Sequence, residues 1–125
     1  MMKVTVFLPW PDRRLSPNAR HGHWATLAHA KKKAKADAYH LALEAGLGKI
    51  EADSVNAKYT FFPPDRRTRD RDNLIGSCKA LQDGIALAIG VDDGNWITTY
   101  EIAGAVEKNG MVKVDIEWEH KEQAA

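Results

Sequence analysis

One cysteine, Cys78, stands in the whole 125-residue chain. That excludes an intramolecular disulfide and any zinc site built from several thiolates. A lone Cys among apolar neighbours reads as a small core residue. No apolar run approaches the ~20 residues that a membrane-crossing helix needs. The N-terminus also lacks the basic stretch, apolar segment and cleavage site of a secretory leader. The expectation is a cytoplasmic protein without membrane contact. Charge of one sign is scarce too: the net charge is +1, which by itself does not favour a polyanionic partner. Internal repeats and linkers are absent.

What is present fits an ordered domain. Apolar residues make up 44% and charged residues 28%, enough of the first to bury a core and of the second to keep it soluble. The length is that of one domain, so residues 1–125 are read as one unit with 119–125 a frayed tail. The charges are unevenly placed. Trp10 to His40 carries seven Lys/Arg against two Asp, whereas Val91 to Ala125 carries three Lys against eight Asp/Glu. A basic early part and an acidic late part either set a cationic face beside an anionic site or form two solvated surfaces.

Hydropathy patterning predicts the elements. Met2 to Leu8 alternates, with Val4, Val6 and Leu8 on one side, and Pro9 and Pro11 end it. Asp12 to Gly22 reads as a loop. Trp24 to Leu47 reads as a helix whose stripe is Leu27, Ala34, Ala38, Leu41 and Ala45, closed by Gly46 and Gly48. Ser54 to Phe62 alternates again and Pro63-Pro64 closes it. A second helix is predicted over Asn73 to Ile89, with the stripe Leu74, Cys78, Leu81, Ile85 and Ala88, Asp72 as N-cap and Gly90 as stop. Trp96 to Val106 and Met111 to Trp118 read as strands, and Asn109-Gly110 between them suits a tight turn. The expected fold is α+β: a mixed sheet, two main helices and a C-terminal β-hairpin.

The most informative stretch is Asp65-Arg-Arg-Thr-Arg-Asp-Arg-Asp72, which has no apolar residue. Asp70 and Asp72 stand two apart, so in an extended segment their carboxylates face one point. Asp92 and Asp93 follow beyond the helix. A helix of ~17 residues rises about 25 Å, so this second pair meets the first only if the chain returns or a second subunit supplies it. Three or four carboxylates suit Mg²⁺, with Mn²⁺ as a possible substitute: a hard cation that prefers oxygen and supports phosphodiester cleavage. Arg66, Arg67, Arg69 and Arg71 are candidates for holding phosphates, as are Asn18, Arg20, His21, Lys31 and Lys32 in the basic first part. The structural alternative is that Asp72 caps a helix and Asp70 pairs with neighbouring arginines. Lys79 lies seven residues after Asp72 on the same helical face, placed either to stabilise charge on a phosphate or to pair with Asp83. His21 and His23 form a His-x-His pair without a third ligand at a fitting spacing, so phosphate or subunit contact is the better reading. Trp10 and Trp24 are the best candidates for base stacking, though tryptophans more often serve a core.

The block Pro64-Asp-Arg-Arg-Thr-Arg-Asp-Arg-Asp-Asn-Leu74, a lysine on the following helix and Val91-Asp-Asp93 together resemble the RusA family of Holliday-junction resolvases. The opening Leu8-Pro-Trp-Pro11 with Asn18 looks similar to that family's N-terminus, and the resemblance covers nearly the whole chain. It implies a homodimeric endonuclease that binds four-way DNA and makes paired nicks with Mg²⁺ or Mn²⁺. By matching position, Asp70, Asp72 and Asp93 would be the catalytic metal ligands, with Asp92 beside them. The family's lysine usually follows the second Asp by four residues, where this chain has Gly76. Lys79 comes three residues later, close to one helical turn, and is read as its replacement. A divergent phage or prophage-type member fits such an insertion. Two alternatives share these residues: a nuclease acting on forks or flaps, and a non-catalytic DNA-binding module.

Overall fold

The computed structural model describes residues 1–17 and 24–120. Four strands form one mixed sheet: β1 (Met2–Pro9), β2 (Val55–Phe62), β3 (Trp96–Ile102) and β4 (Met111–Trp118). Among the described residues three α-helices accompany them: α1 (Trp24–Glu44), α2 (Arg71–Ser77) and α3 (Lys79–Ile89). The α+β class expected from the alternating periodicities is the fold observed. Asn18, Arg20, His21 and His23, singled out above, lie outside the described residues, as does most of the 119–125 tail.

The spatial order of the sheet is β1-β4-β2-β3. β4 lies antiparallel to both β1 and β2, and β3 lies parallel to β2 on its other side. This corrects the expected C-terminal hairpin. β3 and β4 are consecutive in sequence, yet β2 separates them. The connection after Ile102 crosses the end of β2, where Ala103 N–H donates to Phe61 O (2.8 Å) and Glu107 N–H to Pro63 O (3.0 Å). β3 itself ends at Ile102 rather than Val106. The Asn-Gly pair does make a tight turn, with Asn109 at φ 68 and Gly110 N–H bonded to Glu107 O (2.9 Å), but the turn feeds a crossover.

One face of the sheet is covered by the helices. Val6, Leu8, Val55, Ala57, Tyr59, Phe61, Val112, Val114, Ile116 and Trp118 point into it, as their period-two spacing predicted. The other face is mostly polar, with Phe7 and Ile97 exposed on it, and is cross-linked by Thr5 Oγ1 to Asp115 (2.6 Å) and Lys58 to Glu101 (3.2 Å).

The helix α1 buries Ala30, Ala34, Ala38 and Ala42. The predicted stripe shared only Ala34 and Ala38 with it; Leu27 and Leu41 are half-buried and Ala45 is exposed. Small residues win the buried positions because α3 approaches very closely. A Cβ added at Gly84 would stand 2.3 Å from the Lys35 carbonyl oxygen and 2.9 Å from Ala38 Cβ. At its far end α1 closes in a Schellman arrangement, with Leu47 N–H on Ala42 O and Gly46 at φ 98, as Gly46 suggested.

The second predicted helix is two. Its stripe Leu74, Cys78, Leu81, Ile85 and Ala88 is buried throughout. The helix is interrupted at Cys78, where Ser77 Oγ turns back to Asn73 O (2.7 Å) and Cys78 N–H reaches Ile75 O, a tighter turn. Cys78 is buried, and loss of water pushes its thiol up to about 12. The Gly84 contact is directly testable. Gly84→Ala forces a methyl group against α1 backbone, and a loss of roughly 1–3 kcal/mol is expected. Urea unfolding would show a lowered midpoint with an unchanged slope. An unchanged midpoint would mean that α1 and α3 are free to part.

Candidate active site

The charged run after β2 is an ordered loop. Asp65 accepts from the Arg67 backbone N–H (3.0 Å), the Arg67 guanidinium (3.1 Å) and the Arg69 guanidinium (2.9 Å). These donors, Arg67 first, hold the Asp65 carboxyl well below the usual carboxylate range. Arg69 also donates to the carbonyls of Asp65 and Arg67 and lies 5.4 Å over the Trp10 ring. Its side chain is only 15% exposed. Arg69 therefore closes the loop from inside, with its guanidinium engaged by Asp65, the Arg67 carbonyl and Trp10. Trp10 meets Phe61 edge-on and packs over Gly110, so it is part of the scaffold rather than a free stacking surface. Arg71 donates to Tyr100 O (2.6 Å) and fixes the start of α2 to β3. Arg66 is exposed and makes no ion pair among the described residues.

Asp70, rather than Asp72, caps the helix. Its backbone is extended and its Oδ1 accepts from the Asp72 N–H (2.9 Å). Asp72 stands in the first turn of α2, where the helix end favours a negative charge. Both carboxylates are exposed, and among the described residues Asp72 has no partner and Asp70 none beyond the cap. Asp92 is likewise a cap, accepting from Gly94 N–H (3.3 Å) over a single 3₁₀ turn.

Asp93 meets Lys79, whose ammonium also reaches Asp83 at 2.9 Å. The pairing with Asp83 one turn on is the one that the spacing offered, and the contact with Asp93 beyond the helix adds to it. A second line of bonds arrives from the core. The buried Tyr59 hydroxyl donates to Gln82 Oε1 (3.0 Å), and Gln82 Nε2 lies 3.4 Å from Asp93. Burial raises the Tyr59 phenol well above its ordinary value, so it remains a donor. Its ring stacks on Tyr100 at 5.1 Å, the residue whose carbonyl holds Arg71. Gln82 and Tyr59 were not singled out from sequence. Their signals were a polar residue three after Lys79 and a phenol on the inward face of β2 that needed a partner.

Gly76 explains where the lysine stands. A Cβ there would lie 2.5 Å from Pro17 Cγ, so no side chain fits without displacing that rigid ring. Lys79 is one turn further, in the open, 63% exposed.

The four aspartates do not form one group. Among the described residues, no three His, Cys, Asp or Glu side chains come together as a metal cage. Asp93 stands with Lys79 and Asp83, while Asp70 and Asp72 stand at the head of α2. Their exposed carboxylate oxygens are donors of the kind a hard cation takes, but the described residues do not assemble a full set.

No protein-family model matches the sequence. Over 115 residues the chain is 36% identical to an uncharacterized protein of Xylella fastidiosa (strain Temecula1 / ATCC 700964), a match that spans 90% of this chain and 74% of that protein. The chain belongs to the family of that protein. Among the described residues no helix is long and apolar enough to cross a membrane.

The Lys79–Asp93 pair carries a pH signature. Asp93 is lowered from its ordinary 3.8, mainly by the hydrogen bond from Lys79, and Lys79 is raised from 10.5 by Asp93 and then Asp83. The Asp93 contribution is therefore full above about pH 4 and lost as pH falls through its lowered folded value. The Lys79 contribution is full below about pH 10 and lost as pH rises through its raised folded value. At neutral pH wild type should exceed Asp93→Asn in stability by on the order of 0.5–1 kcal/mol, the range for an exposed partner. Urea unfolding of both proteins across pH checks this, and a gap that persists unchanged into strong acid would exclude the pairing.

Proposed function

We propose that the protein is a metal-dependent endodeoxyribonuclease that cuts four-way DNA junctions, acting as a homodimer as the resemblance to the RusA family implies. The observation that carries this reading is the meeting of Lys79 with Asp93. It brings a cation and a carboxylate from beyond the helices together on α3, whose predecessor α2 opens with Asp70 and Asp72. In this reading Asp70, Asp72 and Asp93, which stand apart in the single chain, would be drawn together by Mg²⁺ or Mn²⁺ or completed by a second subunit, with Asp92 beside Asp93. When bound, such an ion supplies an activated water and stabilises charge on the leaving oxygen. The chain's own residues do the rest. Lys79 neutralises charge near Asp93, Gln82 and Tyr59 hold Asp93 in place, and Arg71 ties the Asp70–Asp72 segment to β3. Arg66, Lys31 and Lys32 are exposed cations available to phosphates.

A second reading rests on the same contacts. Asp70 and Asp92 serve as caps, and Asp93 is matched by Lys79. Those roles suffice for a DNA-binding module without catalysis. A labelled four-way junction, a linear duplex and a fork, each incubated with Mg²⁺, Mn²⁺ or EDTA, separate the readings. Paired nicks confined to the junction, abolished by EDTA and reduced roughly 100-fold or more in Asp70→Asn, Asp72→Asn and Asp93→Asn, are expected. Cutting of forks at equal rate would move the substrate to branched DNA in general. Salt-sensitive binding with no product in either metal would leave the binding module.

A further inference from the structure

Lys79 has a second neighbourhood, whose described lining does not include Asp93. A groove of about 610 Å³ runs between Ser16–Pro17, the N-terminal half of α1 and the junction of α2 with α3. Leu15, Leu27 and Ala80 contribute apolar wall, and Lys31, Lys32, Lys35 and Lys79 stand along it. Asp83 is the one carboxylate among its described lining residues, and it is already paired with Lys79. Lys33, on the same helix, is paired with Asp37 at 2.7 Å. Lys31, Lys32 and Lys35 make no ion pair among the described residues, so their charge is available to a ligand. Trp24, 77% exposed, stands seven and eleven residues before Lys31 and Lys35 and therefore shares their helical face.

The chemistry of this groove is mixed in a definite way. Unmatched ammonium groups call for an anion. An apolar wall beside them leaves a simple anion half unsatisfied, because the wall gains nothing from it. The ligand that satisfies both has a phosphate edge and a flat apolar face. In duplex DNA the base faces are stacked inside the helix and cannot reach a wall; in an unpaired strand they can. The volume lies within the roughly 300–1,000 Å³ of sites that enclose a molecule of nucleotide size. Because Lys79 touches both the groove and Asp93, a strand lying in the groove leads into the candidate active site.

We propose that this groove holds an unpaired stretch of the DNA substrate, with phosphates along Lys31, Lys32 and Lys35 and a base face on the Leu15–Leu27 wall. The inference rests on the DNA-cleaving reading for its choice of ligand and extends it. The protein selects branched DNA by capturing nucleotides that come unpaired where pairs open at the branch, rather than through duplex arms alone.

The test needs no cleavage. In EDTA, anisotropy is measured for a labelled oligothymidylate of about eight nucleotides and for an abasic strand of equal length. Wild-type protein should bind the thymidylate roughly tenfold more tightly than the abasic strand. The double variant Lys31→Ala/Lys35→Ala should weaken both and lower the slope of log affinity against log salt by about 1.4. Leu27→Ser should bring the thymidylate down to the abasic level and leave the abasic strand unchanged. Equal binding of the two strands by wild type overturns the proposal, and so does an unchanged salt slope in the double variant. A protein that prefers thymidylate but never cuts a junction keeps this site and loses the nuclease; one that cuts junctions but binds both strands alike does the reverse.

Discussion

At Gly84 two helices come together more closely than any side chain would permit. The α3 backbone rests against the Lys35 carbonyl and Ala38 of α1, and the row of buried alanines on α1 exists to allow it. Much follows from that contact. α3 lies against α1 on the covered side of the sheet, and that contact fixes its first turn and with it Lys79, Gln82 and Asp83. The lysines of α1 are brought opposite the same turn. The candidate active site and the lysine-lined groove are therefore two sides of one helix end, held by one backbone contact.

The electrostatics of the site are nearly closed within the chain. Asp65 is matched by Arg67 and Arg69, Asp93 by Lys79, and Asp70 and Asp92 by backbone N–H groups. Asp72 alone among these carboxylates has no partner among the described residues. Lys79 is the most shared group, with two carboxylates and a place on the groove wall. Any cation that came to Asp93 would compete with it, and any phosphate entering the groove would find its ammonium half engaged. Lys79 thus couples the two regions through simple charge balance.

Local regularities were legible in the sequence, and long-range ones were not. Alternation marked the inward faces of β1, β2 and β4, because a one-sided sheet imposes a period of two. The stripe from Leu74 to Ala88 survived even the break at Cys78, since a tighter turn changes the axis more than the buried face. The α1 face was misjudged. Hydropathy favours Leu27 and Leu41, whereas the approach of Gly84 rewards alanine, and that approach is visible only in three dimensions. The hairpin was misjudged for a related reason: Asn109-Gly110 fixes a turn but not which strand lies next to the one it leaves. Within the site, the Lys79–Asp83 spacing was readable and the contact with Asp93 was not, because it depends on where the chain returns after α3. The inward turn of Arg69 was hidden as well, since its partners include a tryptophan nearly sixty residues earlier.

One of the sheet's two central positions belongs to the last of its four strands to be made. β4 lies between β1 and β2, so until Met111–Trp118 has been synthesised and inserted, both of those strands present bare hydrogen-bonding edges. The nascent chain therefore cannot complete its core in order of synthesis. Folding must wait for the end of β4, and the pairing of Met2 with Trp118 that then forms spans nearly the full sequence. A topology of this kind places the protein among slow folders for its size and leaves its newly made chains exposed to edge-to-edge association in the interval.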